Sequence, residues 1–306
     1  MCGRYPGGVL RSARNAGLAA LICAGGLVVT GLLALLFPIA QVRDQATLQG
    51  FTELDRPRLA PWLDQVAHLA DPVPYALLGA ACAIVALVRG RPHVALAVPV
   101  ILVGAELTTQ ALKQLLAQPR VADWLGEAQI ADASWPSGHA TAAMAIALCA
   151  VLVAPARWRP IVAAVGGLFA IGVAYAILAL SWHFPSDIVG GYLSALTWTL
   201  GGVAVLCWWE ERSPVAVRDD PGPTRAERRL PLVVGGLVLA AALAVASVAP
   251  QRVADFATAH PTFMVGAGLI AAMAVVIALG FARALGSTTG SPPAATAVRP
   301  HRSPRG

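Results

Sequence analysis

A succession of apolar runs most limits what this chain can fold into. The first, from Gly17 to Pro38, spans 22 residues, close to the ~20 that a helix needs to cross a bilayer. A cleaved signal peptide has a shorter apolar core of roughly 7–15 residues, so this run reads as a retained span. Further runs at 74–88, 93–112, 139–154, 160–180, 187–209, 231–250 and 262–282 bring the expected spans to eight. Only 12% of residues are charged, against about a quarter in soluble domains. The expectation is an all-α integral membrane protein: a six-span helical core followed by two additional C-terminal transmembrane helices. Residues 1–210 form the core, 211–230 an Arg-rich linker, 231–282 the accessory pair and 283–306 a disordered tail.

The net charge of +6 does not point to nucleic acid, because the basic residues are scattered over short loops without aromatic interleaving. Their distribution instead sets an orientation. With the N-terminus inside, 16 of the 22 Lys and Arg fall on the inner side and 6 on the outer, as the positive-inside rule demands. Both termini are then cytoplasmic. Arginine outnumbers lysine 21 to one, a bias that points to a GC-rich bacterial genome and hence to the inner membrane. The five cysteines (2, 23, 82, 149, 207) lack metal-ligand spacing and read as small core residues.

Between 41 and 72 the chain is polar, with Trp62, Leu63, Val66 and Ala70 spaced as the apolar stripe of a helix that either lies on the membrane surface or packs on the bundle.

Three polar clusters interrupt the apolar pattern. Lys113 and Arg120 form the first, Pro136-Ser137-Gly138-His139 the second, and His183-Phe184-Pro185-Ser186-Asp187 the third. Two crossings separate His139 from His183 and none separates Arg120 from His139, so all three meet on one face, away from the cytoplasm. Ser137 and Gly138 open a span, where unpaired backbone N–H groups and the helix dipole attract phosphate. Lys113 and Arg120 add a point charge and a planar fork. His183 and Asp187, four residues apart, suit an acid that orients an imidazole and leaves its other nitrogen free to attack. His139 can then protonate a leaving oxygen. His68, His93, His260 and His301 lack such companions and read as plain loop or tail residues. Glu106, seven residues before Lys113, is an acid inside a span, which reads either as a functional candidate or as a residue that only hydrogen-bonds a neighbouring span.

This order of Lys-x6-Arg, Pro-Ser-Gly-His and His-x3-Asp resembles the type-2 phosphatidic acid phosphatase superfamily, over about the first 210 residues. The resemblance implies removal of phosphate from a lipid phosphate or diphosphate through a phosphohistidine, with no cofactor or metal. Carried over, His183 is the nucleophile, Asp187 its orienter and His139 the general acid. Lys113, Arg120, Ser137 and the Gly138 backbone hold the phosphate. The expected partners are the lipid substrate and the bilayer, with no nucleic acid. Two positions depart from the family pattern. Val121 stands where a proline is usual. Ala176 and Ile177 stand where the third motif carries Ser-Arg. One preorganised donor is commonly worth about 10²–10³ in rate, so the missing arginine implies a slower phosphatase or a substitute among Arg43, Arg56, Arg58 and Arg252. It also admits two alternatives: a phosphotransferase using the same intermediate, or a membrane protein that binds lipid phosphates without catalysis.

Overall fold

A computed structural model describes residues 10, 12–54, 59–126, 129–212 and 224–286. Arg56, Arg58, His301, most of the linker and most of the tail lie outside the described residues. Within them the chain is all-helical: α1 Ala13–Leu36, α2 Pro38–Thr52, α3 Ala60–His68, α4 Pro72–Val88, α5 Pro92–Leu115, α6 Gly138–Val153, α7 Arg159–Ala179, α8 Pro185–Arg212, α9 Arg225–Val248, α10 Pro250–Ala259 and α11 Pro261–Ala284, plus one 3₁₀ turn at Asp123–Leu125. Six of these (α1, α5, α7, α8, α9 and α11) are long and apolar enough to cross a membrane. The expected spans at 74–88 and 139–154 are the shorter helices α4 and α6. Together α3 and α4 also reach spanning length, as a pair bent by 49°. Helices dominate because each satisfies its own backbone hydrogen bonds where water is absent.

The core is built around α6. Thirteen of its 16 residues are buried, five of them Ala, and such small side chains let neighbouring backbones come close. It packs against α7, α8, α5 and α4. A Cβ on Gly166 of α7 would sit 2.8 Å from the Ala147 methyl, and one on Gly191 of α8 only 2.7 Å from the Ser137 carbonyl oxygen. Buried hydroxyls tie α5, α6 and α8 together: Thr109 Oγ1 is 3.1 Å from Thr141 Oγ1 and 3.3 Å from Ser194 Oγ.

α1 lies along α8 and holds the second cluster from outside. Gly31 leaves room for the Trp135 ring, which packs with Leu27 and Ala34. The loop carrying Arg120 is pinned through glutamines: Gln118 Nε2 donates to the Leu35 carbonyl (2.8 Å) and Gln45 Nε2 to that of Val121 (2.8 Å).

The polar stretch after α1 is helical over 38–52, a helix its polarity hides. α2 buries Thr47, Leu48 and Phe51. The Phe51 ring lies 4.8 Å from Phe263 of α11 and 5.1 Å from Tyr175 of α7. α11 therefore packs into the bundle through α2 and α7 rather than beside it, whereas α9 buries none of its apolar window. In α3 the expected stripe is partly turned: Val66 and Leu63 face the bundle, but Trp62 is exposed. Among the cysteines, Cys23, Cys82 and Cys149 are free. Cys207 is disulfide-bonded, which corrects its reading as a plain core residue; spacing alone cannot reveal such a pairing.

Gly191→Ala forces a methyl into the backbone at the start of α6, with atoms that cannot swing away. It should destabilise the protein by about 1–3 kcal/mol and lower its melting temperature in detergent. Gly201→Ala on the same helix, where an added Cβ meets nothing, should leave the melting temperature unchanged or raise it.

Candidate active site

All three clusters converge at one end of the bundle, where α5 ends and α6 and α8 begin. Lys113 sits in the last turn of α5. A Cβ on Gly138 would lie 3.8 Å from Lys113 Nζ, 3.6 Å from Glu106 Oε1 and 3.7 Å from Gln110 Nε2. One face of α5 therefore presents these three groups to the first residue of α6. Ser137 caps that helix, its Oγ accepting from Ala140 N at 3.3 Å, and is fully buried.

The third cluster is placed by the end of α7. Ser181 adopts a left-handed backbone (φ 59°), while Ser181 N donates to the Leu178 carbonyl (3.0 Å) and Trp182 N to that of Ile177 (2.9 Å). These two bonds form the paired closure that usually employs glycine at the left-handed position. The turn sends His183 into the bundle, 6% exposed. Its Nδ1 lies 3.3 Å from Asp187 Oδ2, leaving Nε2 on the far side of the ring. The His139 and His183 ring centroids are 6.5 Å apart, so the two expected imidazoles face one space.

Asp187 has no exposed surface. It accepts from His183, from Phe184 N (3.0 Å) and from Arg120 Nη2. Its own carbonyl accepts from Ser137 N at 2.9 Å, which joins the second and third clusters directly. Burial pushes the His183 imidazole below its usual pKa, and the nearby Lys113 and Arg120 charges add to this. The bond to Asp187 and its charge pull the other way, and burial prevails.

Arg120 is buried and engaged. Nη2 donates to Asp187 and to Ser134 Oγ (2.6 Å), Nη1 donates to Ser186 Oγ (3.2 Å) and approaches Asp44 Oδ2 (3.5 Å), and the guanidinium stacks 4.3 Å from the Phe184 ring centre. It thus stands behind Asp187, whereas Lys113 and the Gly138 backbone line the space itself.

Two acids join the site that sequence reasoning missed. Asp44 of α2 accepts from Ser186 N (2.8 Å) and Ser186 Oγ. Burial, and then the Asp187 charge, push its carboxyl up to about 7, against the pull of the Ser186 bonds and of Arg120. Two carboxylates share one guanidinium, so the second is left short of countercharge. Asp71, between α3 and α4, sits 3.1 Å from His139 Nε2 through Oδ1 and 2.8 Å from His68 Nδ1 through Oδ2. His68, expected as a plain loop residue, therefore belongs to the site's rim. Among the described residues no group of three or more His, Cys, Asp or Glu is arranged to hold a metal.

The position of the missing arginine is filled. Ala176 and Ile177 are both fully buried in the apolar core, so no polar pocket marks its absence. Of the expected substitutes that are described, Arg43 and Arg252 are both exposed.

Residues 94–213 match the family model of the PAP2 superfamily, which bears out the resemblance read from the three clusters; the matched segment contains all seven expected site residues. Among solved structures, the chain is similar to a transmembrane PAP2-type phosphatidylglycerolphosphate phosphatase from Bacillus subtilis, at 19% identity and a TM-score of 0.45, covering 65% of this chain and 99% of that one. No curated protein matches the chain.

Asp44 supplies a test of the buried network. Its folded pKa near 7 lies above the ordinary value of 3.8, so the folded chain keeps a proton that the unfolded chain releases. Its contribution to stability therefore falls as pH rises from about 4 to 7. Asp44→Asn should flatten that part of the pH dependence of the melting temperature. An unchanged slope would show that the carboxyl does not titrate there.

Proposed function

We propose that this PAP2-superfamily segment makes the chain a membrane phosphatase that hydrolyses a lipid phosphate or diphosphate through a phosphohistidine on His183. The observation that carries the reading is the pair of imidazoles 6.5 Å apart, one of them backed by a buried carboxylate. The phosphate sits at the start of α6, held by the backbone at Gly138, the Ser137 hydroxyl and Lys113. His183 Nε2 attacks phosphorus as the bond to the leaving oxygen breaks, and His139 gives that oxygen its proton. Water then attacks the phosphorus–nitrogen bond and yields a proton to His139, which frees inorganic phosphate and restores both rings. Asp187 holds the His183 ring and offsets the positive charge it gains. Arg120 keeps Asp187 in place and contributes its charge to the phosphate from behind.

A lipid substrate is supported by an apolar groove of about 680 Å³ between α4, α6 and α7, lined by Leu69, Pro74, Ile146 and Phe169 among others. Two of its lining residues, Leu69 and Pro74, flank in sequence Asp71, which touches His139, and in this reading a hydrocarbon tail in the groove leaves its headgroup at the imidazoles. Phosphatidate, phosphatidylglycerol phosphate and polyprenyl diphosphate share this chemistry. In this reading residues 1–210 carry the catalytic unit, α11 braces it, and the site opens on the extracytoplasmic face of a bacterial inner membrane with both termini inside. A second reading, a protein that binds lipid phosphates without turnover, draws on Ile177 in place of the third cation.

With lipids carrying labelled phosphate, the purified protein should release phosphate and retain label under acid-free quench. His183→Ala should lose the label and at least ~10³-fold in turnover. No label from any of the three lipids would favour the binding-only reading; label passed to an added alcohol would mark a phosphotransferase. Attack requires the neutral imidazole, and burial favours that form. The acid side of the pH–rate profile should therefore fall off below the ordinary imidazole value of about 6.5.

A further inference from the structure

The segment between α3 and α4 reads Asp71-Pro72-Val73-Pro74. Asp71 stands at the N-cap of α4, where an aspartate ordinarily accepts from the backbone N–H two or three residues on. Here it makes no cap bond. Proline occupies the third helical position and has no N–H to give. The carboxylate is instead directed outward, and each oxygen meets a different imidazole: Oδ1 that of His139 and Oδ2 that of His68. Trp182, next to His183, packs against both rings, with centroids 5.5 Å from His139 and 5.7 Å from His68.

We propose that Asp71 is a positioning residue for His139, fixing its ring and holding its proton, so that the site contains a second acid–imidazole pair opposite the His183–Asp187 pair. The proposal rests on the phosphatase reading for its catalytic consequence. The bond occupies Nε2 of His139, so the proton offered to the leaving oxygen is the one on Nδ1. A carboxylate on the far nitrogen stabilises the imidazolium that must exist before that transfer, and steadies it again when water returns a proton. His68 orients Asp71 from the rim. The charged and titratable groups facing this pair are Asp64 and His68 of α3, Glu106 and Lys113 of α5, and His183 with Asp187 and Arg120 behind it. Asp71 is the carboxylate in contact with His139, so its removal should dominate any change in that ring's proton affinity.

The test compares full-length wild type, Asp71→Asn, Asp71→Glu and His183→Ala in detergent, with melting temperatures as the folding control. Ring-labelled histidine spectra recorded against pH without substrate report the His139 midpoint directly. Asp71→Asn should lower that midpoint by about one unit, move the basic side of the pH–rate profile down with it, and cut turnover ~10-fold or more; Asp71→Glu should restore part of each. A midpoint unmoved by Asp71→Asn overturns the proposal whether or not the protein turns over lipid. So does a lowered midpoint with unchanged turnover. A wild type that releases no phosphate but shows the midpoint shift sinks the phosphatase reading and leaves the Asp71–His139 coupling standing.

Discussion

The site depends on a single buried residue, Asp187. Its carboxylate gathers the His183 imidazole, the Phe184 amide and the Arg120 guanidinium, and its carbonyl takes the Ser137 amide. The three clusters come from three separate stretches of chain, and each donates to this one side chain or its backbone. A fully buried carboxylate is costly unless its oxygens are satisfied. Here the groups that satisfy it are also those the proposed chemistry needs in register. The same bonds that make Asp187 tolerable therefore fix the distance between the helix start at Ser137 and the ring at His183.

Around that point the acids fall into two layers. Asp187 and Asp44 share Arg120 in the dry interior, where Asp44 also takes both donors of Ser186. Asp71 faces the half-open rim with its two histidines. The inner layer sets geometry, since its members are buried and fully bonded. The outer layer remains in contact with water.

Much of this was legible in the sequence because it follows from length and order. Run lengths gave six helices long enough to cross, although α4 and α6 fall short of that length, and the two apolar runs between His139 and His183 put both rings at one end. Lys113, Ser137, Gly138, His139, His183 and Asp187 all lie where that count places them. Arg120 was expected at the phosphate and stands behind Asp187, because its loop is pulled inward by Ser134 and Ser186, partners that no local pattern announces. α2 was missed since its polar residues belong to a face packed on protein rather than lipid: Thr47 meets Gly266 of α11 and Asp44 meets Ser186 of α8. Asp44 meets Ser186 across 142 positions, a separation that carries no periodic signal. Asp71 did leave a trace, an aspartate before a helix whose third residue is proline, with a histidine three positions upstream.

The contact between α2 and α11 reaches further than its location implies. Phe263 seats Phe51, and Thr47 fills the notch at Gly266; together they hold the helix that brings Asp44 to Ser186. Shortening the chain to the segment that bears the motifs would strip this wall away and leave the serine of the third cluster without its acid. The boundary of the working machine lies past the boundary of its signature.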